Sequence, residues 1–240
     1  GVADPGIGRH PPDGVSELRQ EQAAATRDRV IRAAAELFAE KGYAGTTMPA
    51  IARRARVSTE TVQNHGPKIQ LLRAAIAATS FGGTPGGPVA DTELGRQLVA
   101  GVDTPAAAAQ AGASVLATIN EGAHGVWVAF SEASRSDPAL AAELRTLTEE
   151  IAVQTRVTLQ GWERRGWLRT DLTPEILVRR TTAIASVELW DRIVRTEGSS
   201  REEYVELVAG MLLDLLLDPG RRRTGSTADE SAGLEESNLA

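Results

Sequence analysis

Strand-like alternation of apolar and polar residues is hard to find anywhere in this chain, and that constrains the fold more than any other feature. Helical periodicity takes its place. From Arg27 to Lys41, Val30, Ala34, Leu37 and Phe38 recur at i, i+4, i+7 and i+8, forming one apolar stripe. Gly42 follows where a left-handed C-cap is wanted. Aromatic residues are only 4% of the 240, and the strong helix formers Ala, Leu, Arg and Glu dominate. Helix starts are marked chemically. Asp137-Pro138 and Thr173-Pro174 each place a capping side chain before a proline, whose missing N–H costs nothing in a first turn. Thr47, followed by Pro49, and Ser58 are caps of the same kind. The expected helices span 27–41, 47–55, 58–65, 67–76, 91–101, 104–120, 122–136, 138–166, 173–197 and 200–217. Gly166 and Gly198 act as stops, and Val15 to Ala25 can extend the first helix. The fold class is all-α, with no internal repeat of fixed period.

Punctuation divides the chain. Residues 1–25, with Pro5, Pro11 and Pro12, read as a mostly disordered arm. Residues 82–90, GGTPGGPVA, read as a linker or long loop. Residues 219–240 form a polar tail in which Arg221 to Arg223 are a solvated stop. That leaves a unit at 26–81 and a larger one at 82–218. Their charges differ: residues 27–73 hold nine basic and four acidic residues, whereas residues 81–240 hold 15 basic and 24 acidic. A small basic segment on a larger acidic body suits a polyanion-binding module joined to a regulatory or oligomerising one.

Several classes are excluded or disfavoured. With no Cys there are no disulfides, thiolate metal sites or cysteine nucleophiles. No run approaches the roughly 18 apolar residues of a membrane helix, and no secretory signal is evident, so a cytoplasmic protein is expected. His124 has no second ligand at metal spacing, and no cofactor is implied. An enzyme finds little support: there is no phosphate loop and no nucleophile elbow, and Ser131, Glu132 and His124 form only an imaginable acid–base group.

Residues 47–65 carry the chemistry. A short helix, a turn at Arg56-Val57 and a second helix capped by Ser58 make a helix-turn-helix pattern, and a plain helical hairpin fits those residues as well. Laid in a major groove, the second helix would present Ser58, Thr59, Glu60, Thr61, Gln63 and Asn64 to base edges. Gln and Asn can bond adenine, Thr can meet a thymine methyl, and Glu can accept from cytosine N4. Val62 would anchor the helix to its own core. Arg53, Arg54, Arg56, His65 and Lys68 would meet phosphates, and the helix N-termini at Thr47 and Ser58 would add backbone donors.

The stretch RVIRAAAELFAEKGYAGTTMPAIARRARVSTETVQNH, residues 29–65, resembles the DNA-binding domain of the tetracycline-repressor (TetR) family of bacterial regulators. The matching pieces are AAELFAEKGY, Thr46-Thr47, IARRA, VSTETV, His65, Lys68 and Leu71-Leu72, in order over 27–76; GWLRTDLTPE (166–175) is similar to a late turn of that family. Three positions depart. Arg56 stands where a turn Gly is common, and Gln63 where a phosphate-touching Tyr is common. Gly66 follows His65 directly, so an aromatic is missing and Lys68 comes one residue early.

The resemblance implies an N-terminal three-helix DNA-binding domain and a larger helical ligand-binding and dimerisation domain. It implies a homodimer on an inverted-repeat operator of double-stranded DNA, acting as a repressor released by a small apolar or amphipathic effector. The dimer seam would use the last two helices, where Trp190, Leu207, Met211 and Leu215 supply apolar surface. Effector contacts are expected among Glu121, His124, Trp127, Phe130 and Trp162. The competing reading is a helical dimeric interaction module whose altered helix-turn-helix no longer reads DNA.

Overall fold

The computed structural model describes residues 13–81, 93–97 and 102–218; the first 12 residues, the expected linker 82–90 and the expected tail lie outside these. The helices run α1 (Asp13–Gly45), α2 (Met48–Ala55), α3 (Thr59–Gln63), α4 (Lys68–Phe81), α5 (Glu93–Gln97), α6 (Pro105–Ser134), α7 (Pro138–Arg164), α8 (Pro174–Ile184), α9 (Val187–Trp190) and α10 (Arg201–Leu216). A π-helical turn, Asp191–Thr196, continues α9. Among the described residues the only extended pairing is an isolated antiparallel bridge between Leu168 and Leu217. It is closed by Arg169 N–H to Leu216 O and Asp218 N–H to Trp167 O, both 2.9 Å.

The caps read from the sequence are made. Thr47, Ser58, Asp137 and Thr173 each accept from a backbone N–H two or three residues on, and Thr104 and Ser200 do the same for α6 and α10. Gly42 takes a positive φ (70°, ψ 174°), which kinks the end of α1 there. Residues from Asp13 onward extend α1 beyond the predicted start at Arg27.

Two hydrophobic cores share one spine. The first joins Val30, Leu37 and Phe38 of α1, Ile51 of α2, Val62 of α3 and Leu71 and Leu72 of α4, and it is closed by Val126 and Phe130 from the far end of α6. The second packs the small-residue half of α6 (Ala109, Ala113, Ala117) against α8, Trp190 and α10. Ala at those positions lets α10 approach closely; Gly112 lies where a Cβ would sit 3.4 Å from Leu212 Cδ1.

The spine corrects the sequence reading. Helices were expected at 104–120 and 122–136, but α6 runs unbroken through Glu121 and Gly122. Its glycines are crossing notches rather than breaks. A Cβ on Gly122 would sit 2.3 Å from the Thr79 carbonyl oxygen, and one on Gly125 would sit 2.6 Å from Ala39 Cβ. Backbone contact at those points is what seats α1 and α4 on α6. The predicted helix 173–197 is, conversely, split. It stops at Ile184, and Ser186 caps α9 by accepting from Leu189 N–H at 3.3 Å. The carbonyl of Ala185 freed by that break accepts from the buried Asn120 Nδ2 (3.2 Å), which also donates to Tyr204 Oη at 3.1 Å. A buried amide thus stitches α6, the α8–α9 break and α10 together.

Candidate nucleic-acid interface

The helix-turn-helix forms where the sequence placed it. Thr47 Oγ1 accepts from Ala50 N–H (3.3 Å), and Ile51, Ala52 and Ala55 bury the inner face of α2. The turn is made by Arg56 in the left-handed region (φ 57°, ψ 48°), its N–H returning to the end of α2. Among the described residues Arg56 alone takes a positive φ without being glycine. Ser58 Oγ then accepts from Thr61 N–H (3.0 Å) and lies 2.8 Å from Thr61 Oγ1. Helix α3 is five residues long, and only Val62 of it is buried, at 0% exposure. Glu60, Gln63 and Asn64 are exposed, with Thr59 and Thr61 half-buried beside them. The polar face expected to read bases is therefore open, on a helix held by one apolar anchor.

The surrounding cations divide into two kinds. Arg53 and Arg56 are exposed and make no ion pair among the described residues, so both guanidinia can reach an anion. Thr47 and Ser58 sit exposed at the starts of α2 and α3, and His65 is half-buried just past α3. Arg54, expected among the phosphate contacts, is spent elsewhere. It donates to Glu36 (2.8 Å) and bidentately to Glu40 (3.0 and 2.9 Å) on α1. Those bonds hold the Glu40 carboxyl below its ordinary pKa and raise that of Arg54. The signal that could have found this is the i, i+4 spacing of Glu36 and Glu40.

Lys68 is engaged within the chain as well. Its Nζ donates to the carbonyls of Tyr43 (2.8 Å) and Thr46 (3.0 Å) and lies 4.0 Å from the Tyr43 ring centroid. Burial lowers its pKa. The lysine ties α4 to the turn between α1 and α2, with two of its three N–H donors used there. Tyr43, stacked on Phe38 at 5.8 Å, completes that joint. Where an aromatic is missing after His65, Gly66 adopts φ 107°, a conformation that no side chain accepts without strain.

The expected effector residues do not surround one space. Glu121, His124 and Trp127 share a face of α6, but each is bonded across a seam. His124 Nε2 donates to Asp191 Oδ1 (2.6 Å), Trp127 Nε1 donates to Glu188 Oε1 (2.9 Å), and Glu121 pairs with Arg201 at 3.6 Å. Phe130 is fully buried in the first core, and Trp162 packs against the second. Ser131 donates to its own helix, at Trp127 O, and stands two turns from His124, so no acid–base group assembles there.

At the expected dimer seam, Leu207 is 43% exposed while Met211 and Leu215 are half-buried on the same stripe of α10. Trp190 is 3% exposed, edge-on to Tyr204 at 4.7 Å. It is buried in the second core of the protomer. No helix among the described residues is long and apolar enough to cross a membrane.

Comparisons with known proteins agree with this geometry. Residues 30–65 match the family model for bacterial regulatory proteins, tetR family. Among solved structures, the SmeT–triclosan complex superposes with a TM-score of 0.60 at 23% identity, covering 82% of this chain and 93% of that one. NalD of Pseudomonas aeruginosa, the secondary repressor of the MexAB-OprM multidrug efflux pump, gives 0.59 at 18% identity, covering 82% and 99%. TylP, a tetR regulator from Streptomyces fradiae, gives 0.59 at 20%, covering 82% and 89%. No curated protein sequence matches the chain. Residues 30–65 thus match the DNA-binding segment of the tetR family, and the described residues share the fold of solved tetR-family regulators.

Proposed function

We propose that the chain is a homodimeric, sequence-specific transcriptional repressor that leaves an inverted-repeat operator when a small molecule binds. The observation that carries the reading is the open polar face of α3, with Gln63 and Asn64 exposed and Arg53 and Arg56 in no ion pair among the described residues. Base edges would be met by Ser58, Thr59, Thr61, Gln63 and Asn64, and phosphates by Arg53, Arg56, His65 and the capped N-termini at Thr47 and Ser58. Residues 26–81 form the reading head and 82–218 the regulatory body. Leu207, Met211 and Leu215, with Ile176 on α8 at 42% exposure, supply the apolar surface of the two-fold seam. The effector is small and apolar or amphipathic. SmeT was solved with triclosan, and NalD represses an efflux pump, which supports a ligand of that kind. An effector reaching Glu121, His124 or Trp127 must part the bonds to Arg201, Asp191 and Glu188, which would move α9 against α6.

The test is selection of bound duplexes from a random pool, followed by affinity against salt. Enrichment of a two-fold symmetric site with a steep salt slope is the expected outcome. The short α3, held by Val62 alone, gives one competing reading its ground: a helical dimer that no longer reads DNA. A folded dimer that binds no duplex at low salt would decide for that reading.

A further inference from the structure

We propose that a cavity between α1, the α3–α4 turn and the start of α7 is a binding site for a small amphipathic monoanion, apart from the α6 residues named above. The cavity holds about 400 Å3 and is lined by apolar Ile31, Ile69, Leu71 and Ala74. That is within the range of small-molecule sites, about 300–1,000 Å3. Its remaining walls are polar: Arg27, His65, Gln70, Arg73 and Glu143.

The state of those polar groups fixes the ligand's charge. Arg73 is already matched, with Nη1 2.6 Å from Glu143 Oε1 and Nη2 2.5 Å from Glu150 Oε2. It closes the wall between α4 and α7, and with one guanidinium against two carboxylates that wall carries a net negative charge. The side chains of Arg27, His65 and Gln70 make no hydrogen bond or ion pair among the described residues. Gln70 lies over Gly66, its Oε1 2.2 Å from where a Cβ would stand, which sets the amide at the cavity's rim. One unspent full cation, two unspent polar groups and an apolar floor fit a ligand with a single anionic head and a hydrocarbon or aromatic body. Glu143, on the same wall, disfavours a polyanion. The site joins three elements whose relative positions aim α3, because His65 stands two residues beyond its last residue. A ligand preferring one arrangement of them would therefore shift operator affinity, and operator DNA would shift ligand affinity by the same factor. That coupling rests on the function proposed above; the site itself does not.

The probe is 8-anilinonaphthalene-1-sulfonate, an aromatic monoanion, titrated by fluorescence into the full chain, with its neutral analogue N-phenyl-1-naphthylamine as control. One saturable sulfonate site per chain is expected. Arg27→Gln should weaken it at least about tenfold, the loss of one charge-assisted pair, and leave the neutral probe unchanged. Gln70→Trp, on an exposed position, should fill the rim and block both probes while circular dichroism stays that of the parent. Sulfonate binding that survives both variants within twofold, in folded protein, overturns the proposal. Operator affinity measured on the same variants separates the two readings. Arg27-dependent probe binding by a chain that binds no duplex would keep the site and remove the repressor.

Discussion

Arg56 holds a left-handed backbone that costs an L-residue with a side chain about 1–2 kcal/mol, at a turn where glycine would sit without strain. Strain of this kind persists where a side chain earns its place, and here the exposed guanidinium stands at the mouth of the proposed DNA-binding face. Arg56→Gly should therefore act in opposite directions on two measurements. Urea denaturation should show a gain of about 0.5–1 kcal/mol, after glycine's own entropy cost. Operator affinity should fall, with the slope of log K against log salt reduced by about 0.9 for one lost phosphate contact. Stabilisation with unchanged binding would leave the arginine without a role in DNA recognition. Lys68 should do the reverse. Because its ammonium is bound by the Tyr43 and Thr46 carbonyls, Lys68→Met should cost about 1–2 kcal/mol of stability by the same denaturation measurement. Its salt slope, measured on the folded fraction, should stay that of the parent. A reduced slope at full stability would return Lys68 to the phosphate contacts. The lysine was legible in the sequence as a cation near α3. Which way it faced was not, since that depends on carbonyls 22 and 25 residues away in the chain.

At the scale of the element, the apolar stripe of α1 and the caps of α2 and α3 were readable because each depends on residues within one or two turns. The errors fell where a distant element decides. The boundary expected between the helices 104–120 and 122–136 does not form: α6 runs on through Gly122 and Gly125, which let it pass close to the Thr79 carbonyl and Ala39. Ser186 looks like an interior helical residue, but it caps α9, because Asn120 on another helix donates to the orphaned carbonyl before it. The effector set shows the same limit: the sequence shows which aromatic and ionisable groups α6 carries, not that α9 and α10 are bonded to them. Glycine substitution tests this interpretation of α6. Gly161 in α7 has nothing within 4 Å of where an added methyl would stand, so Gly161→Ala should gain about 0.4–1 kcal/mol in thermal or urea unfolding. Gly122→Ala, with equal helix propensity on its side, should lose about 1–3 kcal/mol, since a backbone carbonyl must give way. If both variants gain, the close crossing of α4 on α6 is wrong.

For the whole molecule, charge and shape act together. The basic residues of 27–73 lie on the unit that carries α3, whereas the described residues of 93–97 and 102–218 hold 12 basic and 19 acidic residues, so a polyanion would be drawn to the first and repelled from the second. Steering alone gives no sequence preference, and a five-residue α3 offers few base contacts per protomer. In the proposed dimer a second copy would supply what one protomer lacks. Two reading heads held at a fixed spacing make the second engagement intramolecular, which raises affinity by about 10²–10⁴ without any new contact. The stripe of Leu207, Met211 and Leu215 is where that spacing would be set, and Leu207, 43% exposed on a helix otherwise packed into the second core, is the position to break it. Leu207→Glu should leave helicity unchanged and shift sedimentation from the dimer to the single chain. Affinity for an isolated half-site should stay within twofold of the parent. Affinity for the full inverted repeat should fall by about 10²-fold or more, because only linkage between the heads has been lost. A variant that still sediments as a dimer would place the seam on another face of α8 and α10. A variant that is monomeric yet binds the full repeat as tightly as the parent would mean that each head reads DNA unaided, and the two-fold symmetry would then contribute nothing to recognition.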